Sequence, residues 1–177
     1  MIEVLMVVII VGITLTIAVP RFPVSATRAD AGVRTVRALL QVAERSAVTR
    51  QSSVIVGVDA PNHRFRIHED ADNDRVVDSG ERVRSEPLQE GVILATPSWG
   101  GVNGTVSGPV VGTALRTIDG LPSVIFRRDG SASSDLELYL SAAGGAADSW
   151  RAIVLLPSTG RADAWRASGS TWRRMRP

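Results

Sequence analysis

The stretch MIEVLMVVIIVGITLTIAVPRF (residues 1–22) decides how this chain is built. From Val4 to Val19 it carries no charge, and only Thr14 and Thr16 are polar. Such a run is long enough, as one helix, to cross the hydrocarbon core of a bilayer. It lacks the early basic residues and the small-residue cleavage site of a secretory signal peptide, so it reads as a retained segment. Gly12 and Pro20 are points where the helix loosens or bends. Glu3 is the odd residue. A carboxylate at the border of a membrane helix is costly and calls for a partner, and no cation precedes Arg21. The partner would then sit on a neighbouring copy, such as a free amino terminus. On that reading the helix is an assembly element as well as an anchor.

Working outward, Val33, Val36, Leu40, Ala43 and Ala47 recur every three or four residues and place an apolar stripe on one helix face. Arg34, Arg37, Glu44 and Arg45 occupy the other sides. The spacing predicts a helix from about Thr27 to Thr49 that docks its stripe on a domain behind it. After Arg50 the pattern turns to strands: SVIVGV and HRFRIH flank DAPN, a hairpin turning at Pro61-Asn62. GVILAT, ALRTI, SVIFRR, LELYL and RAIVLLP follow as further strands, and SWGGVNGTVSGPVVG reads as a Gly-rich loop. The expected fold is α+β, a long N-terminal helix packed on an antiparallel sheet or sandwich. Three segments are expected: a hydrophobic transmembrane and assembly helix (1–24), its amphipathic continuation (25–50), and a β-rich globular domain with a basic C-terminal tail (51–177).

Composition narrows the classes. The 177 residues suffice for one domain plus an appendage. All 20 basic residues are Arg, against 18 acidic ones, for a net charge of +2. The chain has no Cys, which excludes disulfides and thiolate metal sites. Ser158 and Ser168 lack a nearby His base, and neither a nucleophile elbow nor a phosphate loop is present. The sequence therefore presents no catalytic constellation, and an enzyme is not expected.

The N-terminal residues resemble the signature of type IV pilins and type II secretion pseudopilins, in which Gly and Phe-Thr-Leu-Ile-Glu precede an apolar helix that ends in Pro. Ile2-Glu3 and Pro20 stand at matching spacing. The resemblance implies that Glu3 pairs with the N-methylated amine of an adjacent subunit and that the helices pack in a filament core. Met1 stands where the family has Leu. The basic leader, the cleavage Gly and Phe-Thr would belong ahead of it, so either the true start lies upstream or residues precede Met1. A second resemblance lies in SVIFRRDGSASSDLELYL and WRAIVLLPSTGRADAWR, which are similar to the C-terminal half of the GspH/FimT group of minor pilins at Phe126, Gly130, Gly160 and Arg161. It implies a subunit of a pilus or secretion pseudopilus that acts by assembly. The implied location is the bacterial inner membrane, crossed once, with the globular domain in the periplasm.

Two stretches suggest further chemistry. DADNDRVVDSGE places Asp70, Asp72, Asp74, Val76, Asp78 and Glu81 at positions 1, 3, 5, 7, 9 and 12, the ligand spacing of an EF-hand calcium loop. Arg75 replaces the Gly of position 6, and strands rather than helices flank the loop. The alternative is a solvated turn whose Asp and Asn side chains bond their own backbone. No cofactor is required, and calcium is the one open assignment. His63 and His68 lie five apart, on opposite strand faces, and do not form a ligand pair.

The C-terminal stretch interleaves Arg161, Arg166, Arg173, Arg174 and Arg176 with Trp165 and Trp172. Arginines neutralise phosphates and exposed Trp stacks on unpaired bases. FimT-like members of the group are associated with DNA uptake through a Gly-Arg-x-Arg motif. Gly160-Arg161 matches, while Asp163 takes the place of the second Arg. The competing reading is a final strand with solvated arginines and core-facing tryptophans. The partners expected are other pilins, the membrane through the first helix, and on the second reading DNA.

Overall fold

A computed structural model describes residues 2–18, 24–145 and 147–176. Two helices open the chain, α1 (Ile2–Ala18) and α2 (Val24–Arg50). Eleven strands follow: β1 (Ser53–Asp59), β2 (Arg64–Asp70), β3 (Arg82–Pro87), β4 (Val92–Leu94), β5 (Val110–Val111), β6 (Arg116–Ile118), β7 (Leu121–Phe126), β8 (Leu136–Ala142), β9 (Arg151–Leu156), β10 (Arg161–Ser168) and β11 (Thr171–Arg174). A short 3-10 turn, Ala147–Ser149, precedes β9.

The strands form two antiparallel sheets. The first runs β3-β2-β1-β7-β6 and the second β11-β10-β9-β8-β4, with β5 pairing on β8 beyond β4. β1 and β2 are joined as the sequence predicts, with Asp59 opposite Arg64 at the turn. Both Asp59 oxygens accept from Asn62 Nδ2, at 3.0 and 2.9 Å, and Arg64 Nε donates to Oδ2 at 2.7 Å. These bonds hold the Asp59 carboxyl below its ordinary range, Asn62 first and Arg64 second.

α2 lies against both sheets and starts three residues earlier than its periodicity predicts. Its buried face is Ala29, Gly32, Val33, Val36, Leu40, Ala43 and Ala47, which contains every position of the apolar stripe. With these side chains pack Val54, Val56, Phe65 and Ile67 of the first sheet and Leu136, Leu138, Ile153 and Leu155 of the second. Each large apolar side chain so buried contributes roughly 1.5–3 kcal/mol. One core thus joins the helix to both layers, and the fold is the α+β arrangement expected.

Arg151 is the largest fully buried side chain of the domain. Its Nε donates to Asp30 Oδ1 of α2 at 2.6 Å. Nη1 donates to the carbonyls of Asp148 and Trp150, and Nη2 to that of Ala26. A single guanidinium therefore ties the first turns of α2 to the start of β9, and every donor bond it makes is to a fixed acceptor.

Candidate functional site

Three regions carry the residues singled out by the sequence, and each resolves differently. In α1 every described apolar side chain from Ile2 to Ile13 is exposed, from 48% at Val11 to 78% at Ile2. The helix is apolar on all sides rather than along one stripe, the pattern of a segment covered by lipid or by other helices. Glu3 lies exposed in its first turn, where a negative charge complements the helix dipole. Among the described residues it has no ion-pair partner in its own chain. Pro20 lies outside the described residues. Seventeen residues make a helix about 25 Å long. Among the described residues no helix is long and apolar enough to cross a membrane.

The Asp-rich stretch joins β2 to β3. Carboxylate oxygens of Asp70, Asp72 and Asp74 lie within 4.8 Å of one another, and Asp78 and Glu81 are not part of that group. The loop is cross-braced from within. Asp74 N–H donates to Asp72 Oδ1 at 3.2 Å, Val76 N–H to Asp74 Oδ1 at 2.6 Å, and Arg75 N–H to Asp70 Oδ2 at 3.2 Å. Asn73 and Arg75 both take positive φ, 66° and 71°, which reverses the chain where an EF-hand places its Gly. Ser53 N–H donates to Asn73 Oδ1 at 2.8 Å and fixes the loop to β1.

Glu81 closes the loop's base. It accepts from Ala71 N–H at 2.8 Å and from Asp78 N–H at 3.1 Å, and its Oε2 lies 2.5 Å from His68 Nε2. The His68 bond, followed by the two amides, holds its carboxyl down at about 2. Asp70 shifts the other way: burial first, then the charge of Glu81, raises its proton affinity. The twelve-residue spacing is therefore split in space between a triad of aspartates and a clamp built on Glu81. His68 belongs to the clamp, whereas His63 accepts from Leu94 N–H through Nδ1 at 3.3 Å. The two histidines serve separate structural ends.

At the C-terminus the expected tail is a hairpin of β10 and β11 on the edge of the second sheet. Its arginines divide into two sets. Asp163, the residue that departs from the Gly-Arg-x-Arg motif, accepts from Arg161 Nε at 3.1 Å and from Arg174 Nη2 at 2.6 Å. Arg166 stands directly opposite Arg173 on one side and Arg151 on the other, so three arginines form a row across β11, β10 and β9. Arg151 is neutralised by Asp30. Arg166, Arg173 and Arg176, together with Arg174, line an open groove of about 780 Å³ that also meets Asp30 and Asp148.

The tryptophans do not face that groove. Trp172 donates its Nε1–H to Gly100 O at 3.1 Å and stacks near Tyr139, with ring centroids 5.6 Å apart. Trp99 packs edge-on against Trp150 at 5.4 Å and lies 6.3 Å from Trp172. Trp165 is half-buried within β10. This aromatic cluster pins the Gly-rich loop to the second sheet. Val102 N–H donates to Tyr139 Oη at 3.0 Å, and the Tyr139 hydroxyl donates to Glu137 Oε2. A Cβ at Gly101 would stand 2.1 Å from Tyr139 Oη, so only glycine passes there. The sequence signals were Gly100-Gly101 beside Trp99, but nothing local linked them to Tyr139 or Trp172.

The motif glycines find their reason here too. Gly160 has φ +62°, and a Cβ on it would lie 2.4 Å from Gly130 O and 3.1 Å from Glu44 Cγ. Gly130 and Gly160 thus meet under α2, which explains why the two turns that precede β8 and β10 both need glycine.

Comparison with known proteins bears out the family resemblance. Residues 32–160, well over half of the chain, match the family described as Type II transport protein GspH. Two solved structures of the minor pseudopilin EpsH from the type II secretion system of Vibrio cholerae are similar to this chain. One is 12% identical with a TM-score of 0.46, covering 84% of this chain and 96% of that one. The other is 13% identical, also with a TM-score of 0.46, covering 86% and 96%. No match was found among curated protein sequences. The matched span takes in α2 from Gly32 onward, the first sheet and the second sheet as far as the Gly130–Gly160 contact, and on it the chain belongs to the GspH family of type II transport proteins.

Proposed function

We propose that this chain is a minor pseudopilin of a type II secretion system, anchored in the inner membrane by α1 with its globular domain in the periplasm. It acts by joining a filament of related subunits. The observation that carries this reading is α1: a helix apolar on every side and exposed from Ile2 to Ile13, with one carboxylate in its first turn. Exposed apolar area of that extent requires cover. In the membrane lipid supplies it, and in a filament the helices of neighbours supply it. Glu3, which has no counter-ion among the described residues, sets the register of that packing through the amine of the next subunit.

The test is incorporation of the full chain into pseudopili in cells, read by cross-linking to the other pseudopilins. Glu3→Leu is expected to lower incorporation at least about tenfold, the loss of about 1.4 kcal/mol, without changing the melting of the globular domain. Unchanged incorporation would reject the role given to Glu3.

A second reading has one specific observation in its favour. Arg166 and Arg173 stand directly opposite one another on a groove-facing row. Like charges so placed repel and destabilise the pair, and an anionic partner such as DNA would relieve the repulsion. Binding of DNA to the full chain that falls with salt and is lost in Arg166→Ala/Arg173→Ala would support this reading. No binding at low salt would reject it.

A further inference from the structure

We infer that the loop between β2 and β3 is a calcium site, with Asp70, Asp72 and Asp74 as its protein ligands. Asp70 ends β2 and its side chain is closed to solvent, 0% exposed. Its Oδ2 accepts one long bond from Arg75 N–H, and Oδ1 has no hydrogen-bond partner at all. A buried carboxylate without full compensation is costly. The neighbouring residue makes the contrast plain: Glu69, also buried, is met by Arg50 at 3.0 Å and by Arg84 at 4.0 Å. Asp70 forms no ion pair among the described residues. It is met instead by two more carboxylates, those of Asp72 and Asp74, with oxygens inside 4.8 Å.

Such a group repels itself unless a positive charge stands in its middle. Arg75, the nearest candidate in sequence, does not supply it. It forms no ion pair with the aspartates and lines a different groove, with Arg116, Thr117, Ile118 and Asp119. The donor set is oxygen only, which selects a hard cation. The irregular loop, with two positive-φ residues, suits the adaptable coordination of calcium better than the strict octahedron of magnesium. Asp72 and Asp74 are exposed, so water can complete the shell. The Glu81–His68 clamp keeps its two oxygens for the loop's own amides and for His68. It holds the loop in shape and leaves the aspartates to the ion.

The experiment is a calorimetric titration of the chelator-stripped full chain, in detergent, with calcium chloride and separately with magnesium chloride. Thermal melts with and without calcium run beside it. One calcium per chain is expected, with a Kd on the order of 10⁻⁴–10⁻³ M or tighter, and a higher melting temperature in its presence. Asp72→Asn/Asp74→Asn changes only exposed side chains. It should fold as the parent does, melt no lower without calcium, and bind calcium more weakly by about tenfold or more. Asp70→Asn should lose binding as well; if it does not fold, the double variant decides. Absence of calcium binding in the parent would overturn the inference. So would a double variant with the parent's affinity, and magnesium bound as tightly as calcium would overturn the choice of ion.

Discussion

Arg151 is bonded throughout and fully buried: one carboxylate, three carbonyls and no exposure to solvent. Removing one member of a buried pair leaves its partners without donors. Arg151→Ala is therefore expected to destabilise the domain by about 3 kcal/mol, read by urea unfolding of the globular part in the full chain. Arg166→Ala, on the exposed side of β10, is expected to stay within about 0.5 kcal/mol. At Asp59 the expectation concerns pH. Its carboxyl is held below the ordinary range by Asn62 and Arg64, so the stabilisation is present above the unfolded pKa, about 4, and is lost as the pH falls through the lower folded value. Asp59→Asn should remove that part of the acid sensitivity, so melting temperatures of parent and variant converge in strong acid. Neither role is visible in sequence. Arg151 reads there as one more residue of a basic segment, because Asp30 lies 121 positions away. The Asp59 turn, by contrast, was legible, since Pro61-Asn62 confines all its partners to five residues.

Among the elements, α2 and the C-terminal hairpin mark the two extremes of legibility. The stripe of α2 was readable because helical periodicity is a local property of the chain, and burial follows it residue for residue. Leu40→Ala, at its centre, is expected to cost 2–5 kcal/mol in thermal or chemical unfolding, as apolar truncations in closed cores do. The hairpin was harder. Its arginines read as one basic set, but strand pairing puts alternate residues on opposite faces, so Arg174 turns to Asp163 while Arg173 turns to Arg166. Asp163 looked like a departure from a motif; in the sheet it is the counter-charge for Arg161 and Arg174. Replacing Arg173 by Thr removes a like-charge pair and adds a β-branched residue. Arg173→Thr should raise stability by about 0.2–1 kcal/mol, measured by the midpoint of thermal unfolding. A loss of stability would mean that the row is held by contacts of its own.

The whole molecule combines a domain built on a buried apolar core with a helix whose apolar side chains are exposed from Ile2 to Ile13. Removal of residues 1–23 should leave the melting temperature of the domain within about 2 °C, since no described core residue lies in α1. The same removal should abolish the self-association of the full chain in the absence of detergent. At this scale the sequence was informative about the first half and much less about the second, for a reason of distance. The aromatic cluster joins Trp99, Tyr139, Trp150 and Trp172, residues drawn from one loop, two strands and the margin of a third. Sequence pattern registers neighbours along the chain, and these meet only after both sheets exist.

That meeting has a consequence for how the protein is made. Trp172 belongs to β11, the last of the described strands in chain order, yet it holds down the loop at Gly100. β1, for its part, waits for β7 before it has a neighbour on its second side. A chain emerging from the ribosome can coil α2 and fold the β1–β2 hairpin early, but its Gly-rich loop has no lid until β11 has emerged. Closure of the loop is thereby tied to β11: a product ending before Thr171 is expected to keep Trp99 and Tyr139 uncovered, an apolar surface prone to association.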